Sequence, residues 1–203
     1  MILVTGCAGF IGFHLSLFYL NKNKRVIGID NLNNYYDVRH KIKRLKILKK
    51  HKNFTFIKID LKDKNSLKKI DKFKNKIKNI VHLAGQAGVR YSIVNPTTYI
   101  KNNIEAYIYL LEYFKLKKNI RSILYASSSS VYGNQTNLPL KEDFKTNPLS
   151  PYGAQKLYGE ILCKTFSKVY GLETVSLRYF NVYGEKQNID GAYALVIGIF
   201  LNQ

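Results

Sequence analysis

The sequence predicts an α/β protein, a doubly wound parallel sheet with helices on both faces. Short apolar runs rich in β-branched residues recur along the chain, and helix-length segments separate them. Strands joined by helical crossovers lie parallel and are buried on both faces, which accounts for the near-continuous hydrophobic character of these runs. The strand candidates are Ile2–Thr5, Val26–Asp30, Phe54–Ile59, Asn79–Leu83, Ser122–Ser127 and Thr174–Phe180. Because no internal repeat, Pro/Gly linker or low-complexity tail is present, we expect residues 1–203 to form one domain.

The first strand candidate runs directly into a turn that contains Gly6, Gly9 and Gly12, and a helix candidate follows. Without Cβ atoms, this backbone can approach a pyrophosphate closely and direct the N–H groups of the helix N-terminus at it. Asp30 closes the second strand candidate, 18 residues after Gly12. Its carboxylate can accept a hydrogen bond from a ribose 2′-hydroxyl and would repel a 2′-phosphate. These features predict a Rossmann-like dinucleotide site that prefers NAD to NADP.

The stretch from Arg39 to Lys78 carries much of the formal charge of +20, with 17 basic and three acidic residues. Apolar residues recur there at helical spacing, which predicts an amphipathic helix with a solvated basic face. The basic positions of this helix are Lys41, Arg44, Lys46, Lys49 and Lys50. The stretch has neither interleaved stacking aromatics nor a nucleic-acid motif, so we interpret it as compositional bias and expect no nucleic-acid partner. The positive field can still recruit an anionic ligand at low salt.

The sequence shows neither a secretory signal nor a membrane span. The apolar stretch from Phe10 to Leu20 contains His14 and is shorter than the roughly 20 residues that a span requires. The two cysteines, Cys7 and Cys163, have no metal-type spacing. We therefore expect free thiols, no metal and no membrane partner, in a reducing cytoplasmic compartment.

A helix candidate with a well-defined start follows the fifth strand. Ser150 suits the N-cap and Pro151 the first helical position, which places Tyr152 and Lys156 one turn apart on the same face. A tyrosine that is ionised near neutrality needs its pKa lowered by roughly 3 units, which a neighbouring ammonium helps to provide. This pattern predicts a catalytic pair, and an exposed Tyr–Lys pair is the alternative.

The fifth strand candidate ends in four serines, from Ser127 to Ser130. A hydroxyl at the carboxyl edge of the sheet can hydrogen-bond a reacting group. Ordinary turn chemistry is the alternative for any one of the four, because serine hydroxyls often bond to nearby backbone.

The Gly-x-x-Gly-x-x-Gly turn after Thr5 and the Tyr-x-x-x-Lys helix resemble the extended short-chain dehydrogenase/reductase family of nucleotide-sugar epimerases and dehydratases. The resemblance implies NAD as cofactor and a UDP-sugar as substrate. It implies that Tyr152 takes the proton from a sugar 4-hydroxyl while C4 gives hydride to NAD⁺. The 4-keto sugar then turns over and receives the hydride on its other face. Ser128 would hydrogen-bond O4, and Lys156 would bind the nicotinamide ribose and hold Tyr152 acidic.

The resemblance also implies a set of ligand contacts. Asp60 and Leu61 are placed to meet the adenine ring, although a strand-ending aspartate is equally common as a helix cap. The implied cofactor ligands are Gly6, Gly9, Phe10, Ile11, Gly12, Asp30, Asn31, Asp60, Leu61, Leu83, Ala84, Gly85, Asn102, Tyr152, Lys156 and Phe180. The implied substrate ligands are Arg90, Ser128, Ser130, Tyr152 and Asn181.

Within the family, the residue types at the positions of the serine run distinguish epimerases from dehydratases and decarboxylases. Sugar 4,6-dehydratases carry an Asp-Glu pair after the catalytic hydroxyl, and UDP-glucuronate decarboxylases and GDP-mannose dehydratases carry a glutamate at the position of Ser130. Elimination and decarboxylation need that acid/base group and epimerisation does not, so the serine indicates a 4-epimerase.

Two groups of segments point to different sugars. Residues 30–38 and 87–92 resemble UDP-glucuronate 4-epimerases, whereas residues 178–184 and 191–194 resemble UDP-N-acetylhexosamine 4-epimerases. The uronate enzymes have a threonine at the position of Asn181 and, near Asn188, an arginine that can bind a carboxylate with two hydrogen bonds. We expect UDP-glucuronate, with the hexosamine as the alternative.

Relatives continue beyond residue 203 into a small domain that grips UDP, so the resemblance implies that most of this C-terminal substrate domain is missing. A catalytically inactive cofactor-binding remnant or assembly subunit is therefore the alternative function. The helix candidate Thr97–Lys117 carries more apolar residues than one stripe facing one sheet can bury. In relatives this helix and the Tyr152 helix pair with their symmetry mates, so we expect a homodimer.

Overall fold

The computed structural model describes residues 1–187, and a six-stranded sheet forms its centre. The strands are β1 (Ile2–Thr5), β2 (Val26–Asp30), β3 (Phe54–Lys58), β4 (Asn79–His82), β5 (Ser122–Ser128) and β6 (Thr174–Tyr179). They lie in the order β3-β2-β1-β4-β5-β6, and every neighbouring pair is parallel. The predicted fold class and all six predicted strands are confirmed, with each strand end within one residue of its expected position.

Helices connect these strands. They are α1 (Phe10–Asn21), α2 (Val38–Leu48), a 3₁₀ helix (Lys64–Phe73), α3 (Val89–Val94), α4 (Pro96–Tyr99), a π-helical segment (Ile100–Glu105), α5 (Ala106–Phe114), a 3₁₀ turn (Ser129–Val131) and α6 (Pro151–Tyr170). The predicted helix Thr97–Lys117 corresponds to the run from α4 through the π-helical segment to α5. Segments of π-helix are rare, and many occur at functional sites.

The strands alternate their side chains between the two faces of the sheet. From β1, Ile2 and Val4 pack into the cluster that contains Phe13 of α1 and Leu45 of α2. Leu3, between them in sequence, packs into the opposite cluster, with residues of α5 and α6. Because successive side chains of a strand point to opposite faces, this alternation shows that helices cover the sheet on both sides.

Local signals set the ends of α6. Ser150 Oγ accepts a hydrogen bond from the N–H of Gly153 at 3.0 Å, and Pro151 occupies the first helical position. Gly171 ends the helix with φ 67°, a left-handed conformation that glycine adopts without a Cβ penalty. The start of the helix therefore lies where the sequence predicts it, which fixes the positions of Tyr152 and Lys156.

The prediction that the basic face of α2 is solvated is wrong at two positions. Lys46, Lys49 and Lys50 are exposed, but Lys41 is 6% and Arg44 3% exposed. Ile42, one of the residues that form the apolar repeat with Val38, Leu45 and Leu48, is 42% exposed. The reason is that polar groups of the glycine turn and of the loop after β2 lie under this helix and accept hydrogen bonds from the two cations.

Within residues 1–187, no helix combines the length and apolar character needed to cross a bilayer. Cys7 and Cys163 are both buried and free of disulfide bonds, as expected. Asn188 and residues 191–194, on which the choice of sugar partly depends, lie outside the described residues.

Candidate active site

The candidate site is a cleft at the carboxyl edge of the sheet, where the strand order reverses between β1 and β4. Ligands of open α/β sheets bind at such a switch point, because the crossovers on either side leave a crevice there. The cleft measures about 730 Å³, counting the space open to solvent. It brings together ten of the predicted cofactor ligands: Gly6, Gly9, Asp30, Asn31, Asp60, Leu61, Leu83, Ala84, Gly85 and Asn102.

Two glycines at the turn from β1 into α1, Gly6 and Gly12, have no room for a Cβ. A Cβ at Gly6, whose φ is 69°, would stand 2.9 Å from the backbone nitrogen of Ala84. A Cβ at Gly12 would stand 2.1 Å from the carbonyl oxygen of Gly6. Gly9 is the N-cap of α1 and supplies no side-chain acceptor to the first turn of the helix. A helix N-terminus of this kind suits an anion such as a pyrophosphate.

Asp30 ends β2 and lines the cleft while being only 7% exposed. Its Oδ2 accepts a hydrogen bond from the N–H of Ala8 at 3.2 Å, and its Oδ1 accepts one from the N–H of Leu32 at 2.8 Å. Lys41 Nζ lies 3.9 Å from Oδ1. A carboxylate offers about four acceptor positions, so Asp30 retains capacity for a ribose hydroxyl.

Asp60 follows β3 on the same wall of the cleft. It accepts hydrogen bonds from Asn31 Nδ2 at 3.3 Å and from the N–H of Lys62 at 3.1 Å. The helix-cap alternative for Asp60 is wrong, because Asp63 caps the following 3₁₀ helix by accepting from the N–H of Asn65. The Asp60 carboxylate instead closes a turn that places Leu61 against the cleft.

Thr5 holds the wall of the cleft that follows β4. From the sequence it is only the residue that precedes the glycine motif. Thr5 Oγ1 accepts hydrogen bonds from the N–H groups of Leu83 at 3.1 Å and Ala84 at 3.0 Å. It also lies 2.9 Å from His82 Nδ1. Burial and, to a smaller extent, the charge of Lys156 lower the pKa of His82 to about 3, so the neutral ring can accept the threonine proton. Thr5 therefore ties β1 to the Leu83–Ala84 backbone.

The π-helical segment contributes two adjacent asparagines. Asn102 lines the cleft, and its Nδ2 donates to the Gln86 side chain at 3.3 Å. Asn103 is buried and pairs with the Gln86 backbone, accepting from its N–H at 2.6 Å and donating to its carbonyl at 3.0 Å. Asn103 is not among the site residues predicted from the sequence, although a second polar residue in an apolar helix is a usable signal.

Helix α6 places Tyr152 and Lys156 near the end of β5. Lys156 Nζ donates to the carbonyl of Ala126 at 2.7 Å and lies 5.7 Å from the centre of the Tyr152 ring. Lys156 is only 8% exposed, which excludes the alternative of an exposed surface pair. Burial lowers the pKa of Lys156 to about 8. Burial also raises the pKa of Tyr152, against the expected direction, because desolvation of the phenolate outweighs the opposing hydrogen bond with Ser128.

The hydroxyls of Ser127 and Ser128 contact different partners. Ser128 Oγ accepts from the N–H of Ser130 at 3.1 Å and donates to Ser130 Oγ at 3.2 Å, as in an ordinary serine turn. The Ser128 side chain also interacts with Tyr152, where it lowers the pKa of the phenol and partly offsets burial. Ser127 instead donates to Glu160, a buried carboxylate that also receives two hydrogen bonds from Arg178. Turn chemistry and contact with Tyr152 therefore coexist in Ser128.

Ser92 of α3 also contacts the backbone of Tyr152. Its Oγ accepts from the N–H of Tyr152 at 3.1 Å and donates to the carbonyl of Val89 at 2.6 Å. Since Pro151 has no N–H, Ser92 and Ser150 together satisfy the first donors of α6. The two partners are 60 residues apart, so no local sequence signal predicts this contact.

Several predicted ligands lie away from the cleft lining. Arg90, Phe180 and Asn181 are exposed, and none of them lines the cleft. Phe10 and Ile11 line a second, apolar hollow of about 560 Å³ beside Val182 and Tyr183. No group of His, Cys, Asp or Glu side chains in the described part of the chain is arranged to hold a metal ion.

Known proteins resemble this chain over most of its length. A UDP-glucuronate 4-epimerase of Thermodesulfobacterium geofontis is 45% identical over 183 residues, covering 90% of this chain and 56% of the relative. A UDP-N-acetylglucosamine 4-epimerase structure from Methanobrevibacter ruminantium, in complex with UDP-N-acetylmuramic acid, superposes with a TM-score of 0.87 and 38% identity, covering 99% of this chain and 61% of that one. A Bacillus cereus UDP-glucuronic acid 4-epimerase, in complex with UDP-glucuronic acid and NAD, superposes with a TM-score of 0.85 and 37% identity, covering 99% and 63%.

The chain thus spans less than two thirds of the length of each of these relatives. The family model described as GDP-mannose 4,6 dehydratase matches residues 3–200, nearly the whole chain. With the six-stranded parallel sheet, the glycine turn and the Tyr152–Lys156 pair in place, the chain belongs to the GDP-mannose 4,6 dehydratase family of NAD-dependent epimerases and dehydratases.

Proposed function

We propose that this chain is the cofactor-binding and catalytic part of an NAD-dependent UDP-sugar 4-epimerase. One observation carries the proposal: α6 places the buried Lys156 Nζ 5.7 Å from the centre of the Tyr152 ring and 2.7 Å from the carbonyl of Ala126, at the end of β5. The relatives support it, since they are 4-epimerases of UDP-sugars and one of them was crystallised with NAD and UDP-glucuronic acid.

The cleft fits NAD as the resident cofactor. Glycines stand where a Cβ would collide with backbone, and Asp30 can accept a hydrogen bond from a ribose hydroxyl. Asp60 and Leu61 lie on the wall that would meet the adenine, and Leu83, Ala84, Gly85 and Asn102 lie on the other. NAD supplies hydride acceptance and return at C4, which an epimerase needs in order to remake one carbon with inverted configuration.

The chain's own residues would move the proton. Tyr152 takes the proton of the sugar 4-hydroxyl and returns it at the end of the cycle, while Ser128 hydrogen-bonds O4. Burial raises the pKa of Tyr152 in this site, so the base role needs positive charge nearby to offset the desolvation. Lys156, buried on the same helix face, would provide it and also bind the nicotinamide ribose.

Epimerisation fits the serine run better than elimination does. GDP-mannose dehydratases carry a glutamate at the position of Ser130, and elimination of water depends on such an acid/base group. Glu160, the carboxylate in contact with the serine run, accepts hydrogen bonds from Ser127 and Arg178 and forms an ion pair with Arg178. The described residues therefore offer Tyr152 as the proton carrier, which is sufficient for a 4-epimerase.

UDP-glucuronate is the proposed substrate, with a UDP-N-acetylhexosamine as the alternative. Two of the relatives act on UDP-glucuronate according to their names, and one on UDP-N-acetylglucosamine. Arg90 lies on α3 with its side chain exposed and is the candidate partner for a substrate anion, together with Asn181 and Ser130.

We also propose that the chain acts as a homodimer in the cytoplasm. On α6, Ile161 is 50% and Val169 63% exposed, and Ile100, which begins the π-helical segment, is 43% exposed. A symmetric pairing of these helices with a second copy would remove this apolar surface from water. The two unpaired thiols suit a reducing compartment.

An inactive cofactor-binding remnant or assembly subunit is the second candidate function. The observation that favours it is the raised pKa of the buried Tyr152, because a tyrosine that stays protonated cannot act as the base. NAD titration combined with an epimerase assay separates the two functions, because both bind NAD and only the first interconverts C4 epimers.

The test compares wild type with Tyr152→Phe, using UDP-glucuronate and UDP-N-acetylglucosamine in parallel. Loss of the phenolic proton acceptor should lower kcat by about 10²–10⁴ while NAD still binds. Tyr170→Phe, on the same helix and 40% exposed, is the matched control and should retain wild-type turnover. Near-normal turnover of Tyr152→Phe would contradict the base role, and NAD binding without any turnover in wild type would favour the remnant.

A further inference from the structure

Arg44 of α2 lies beneath the glycine turn and is buried, with 3% of its surface exposed. Its Nη1 donates to the carbonyl of Ala8 at 3.2 Å and to the Tyr36 hydroxyl at 3.0 Å. Its Nη2 donates to the carbonyl of Lys186 at 2.7 Å. One guanidinium thus joins α2, the glycine turn, the loop after β2 and the segment after β6.

Arg44 has only neutral partners. Among residues 1–187, no carboxylate lies within salt-bridge distance of its guanidinium. The nearby buried acid, Asp30, already faces Lys41 at 3.9 Å. Two buried cations therefore share one buried carboxylate on this side of the cleft. A buried charge without a counter-charge is unfavourable, so this arrangement is suited to an anionic ligand.

The hydrogen bond to Ala8 connects this charge to the turn itself. Asp30 Oδ2 accepts from the N–H of Ala8, and Arg44 donates to the carbonyl of the same residue. Ala8 lies between Gly6 and Gly9, so its backbone is held on both sides at the position that shapes the anion site. Asp30 and Arg44 therefore act on one residue of the turn with opposite charges.

We propose that Arg44 is a positioning residue of the cofactor site: it fixes the Ala8 backbone of the glycine turn and supplies buried positive charge that the phosphates of the dinucleotide balance. This inference rests on the proposed NAD site and goes beyond it, because Arg44 does not line the cleft. It acts on the ligand through the turn and through its charge.

Two variants distinguish the effect of the Arg44 charge from the effect of its hydrogen-bond geometry. Arg44→Met keeps much of the aliphatic stem and removes the charge together with all three hydrogen bonds. Arg44→Lys keeps the charge and loses the fork that reaches Ala8 and Lys186 at once. Lys43→Met is the matched control, since it removes the same charge from an exposed position of the same helix.

The experiment measures binding of NAD, ADP and adenosine to these proteins by calorimetry or ligand-observed NMR, with thermal unfolding of each apo protein alongside. Adenosine lacks phosphates, so it reports on the shape of the adenosine pocket alone. Arg44→Met should weaken NAD and ADP by about tenfold, the effect expected for loss of a charge-assisted interaction, and leave adenosine within about twofold. Arg44→Lys should fall between wild type and Arg44→Met, and Lys43→Met should match wild type.

Two results with the Arg44→Met variant would overturn the proposal. Wild-type affinity of Arg44→Met for NAD and ADP would remove any role in phosphate binding. An equal loss for adenosine, NAD and ADP would assign Arg44 a purely structural role. If wild type binds ADP but not NAD, the proposed function fails and the comparison of ADP with adenosine still decides the role of Arg44. If wild type binds none of the three, both proposals are overturned.

Discussion

Gly12→Ala tests whether the close approach at the glycine turn shapes the cofactor site. Gly12 lies in the first turn of α1, and its added Cβ would stand 2.1 Å from the carbonyl oxygen of Gly6, whereas ordinary contact begins at 3.4 Å, a deficit of 1.3 Å. The obstacle is backbone that cannot rotate away. Gly6 is also held in place, since its carbonyl accepts from the N–H of Gly9 at 3.0 Å and its N–H donates to the carbonyl of Ile29 at 2.8 Å.

Two effects of opposite sign determine how much Gly12→Ala changes the free energy of unfolding. Alanine inside a helix is favoured over glycine by about 1 kcal/mol, which would stabilise the protein if space were available. Overpacking of a tight site costs about 1–3 kcal/mol, and disturbing the Gly9–Gly6 hydrogen bond costs about 0.5–1.5 kcal/mol more. The net expectation is a loss of about 0.5–3.5 kcal/mol in the free energy of unfolding, because the steric and hydrogen-bond costs exceed the helix preference.

Urea unfolding of the purified protein measures this loss, and calorimetry with NAD measures the effect on the site. Gly9→Ala is the graded comparison, since its Cβ would stand 3.1 Å from the same oxygen and needs a shift of only a few tenths of an ångström. We expect Gly12→Ala to lose stability and at least about tenfold in NAD affinity, and Gly9→Ala to lose less of both. A Gly12→Ala protein as stable as wild type, with unchanged NAD affinity, would refute the reasoning.

Three further predictions concern specificity, pH and assembly. Wild type should bind NAD more tightly than NADP by calorimetry, and Asp30→Ala should narrow the difference; equal wild-type affinities would contradict the role of Asp30. Burial lowers the pKa of Lys156 to about 8 from the ordinary 10.5, so between those values the unfolded chain binds more protons and stability rises with pH. Relative to Lys156→Met, wild type should gain up to about 2 kcal/mol in urea unfolding between pH 8 and 9.5, and a constant difference over that range would contradict it. Light scattering should give twice 23.5 kDa for wild type and a smaller mass for Ile161→Asp, and a folded wild-type monomer would exclude the dimer.

The strands of the fold are predictable because they are marked by local apolar runs. Each of them begins where the sequence places it, and the start of α6 follows from Ser150 and Pro151. The π-helical segment Ile100–Glu105 is not predictable in the same way, since one extra residue in a helical turn leaves the apolar pattern of a helix almost unchanged.

Contacts between separate elements account for the features of the site that the sequence does not predict. Lys41 and Arg44 have the pattern of solvated residues and are nevertheless buried, because their partners come from the loop after β2, the glycine turn and the segment after β6. Ser92 is 60 residues from Tyr152, and Asn103 is 17 from Gln86. Periodicity describes which face is apolar, and it cannot describe polar groups supplied by another element.

The hydroxyl of Ser92 couples α3, which carries the proposed substrate ligand Arg90, to the start of α6, which carries the proposed base Tyr152. Because Ser92 Oγ joins the carbonyl of Val89 in α3 to the amide of Tyr152, a displacement of α3 stretches a hydrogen bond to the proposed base. Substitutions that reshape α3 to admit a different sugar are therefore constrained: they must keep Ser92 within reach of the Tyr152 amide, or specificity changes at the expense of turnover.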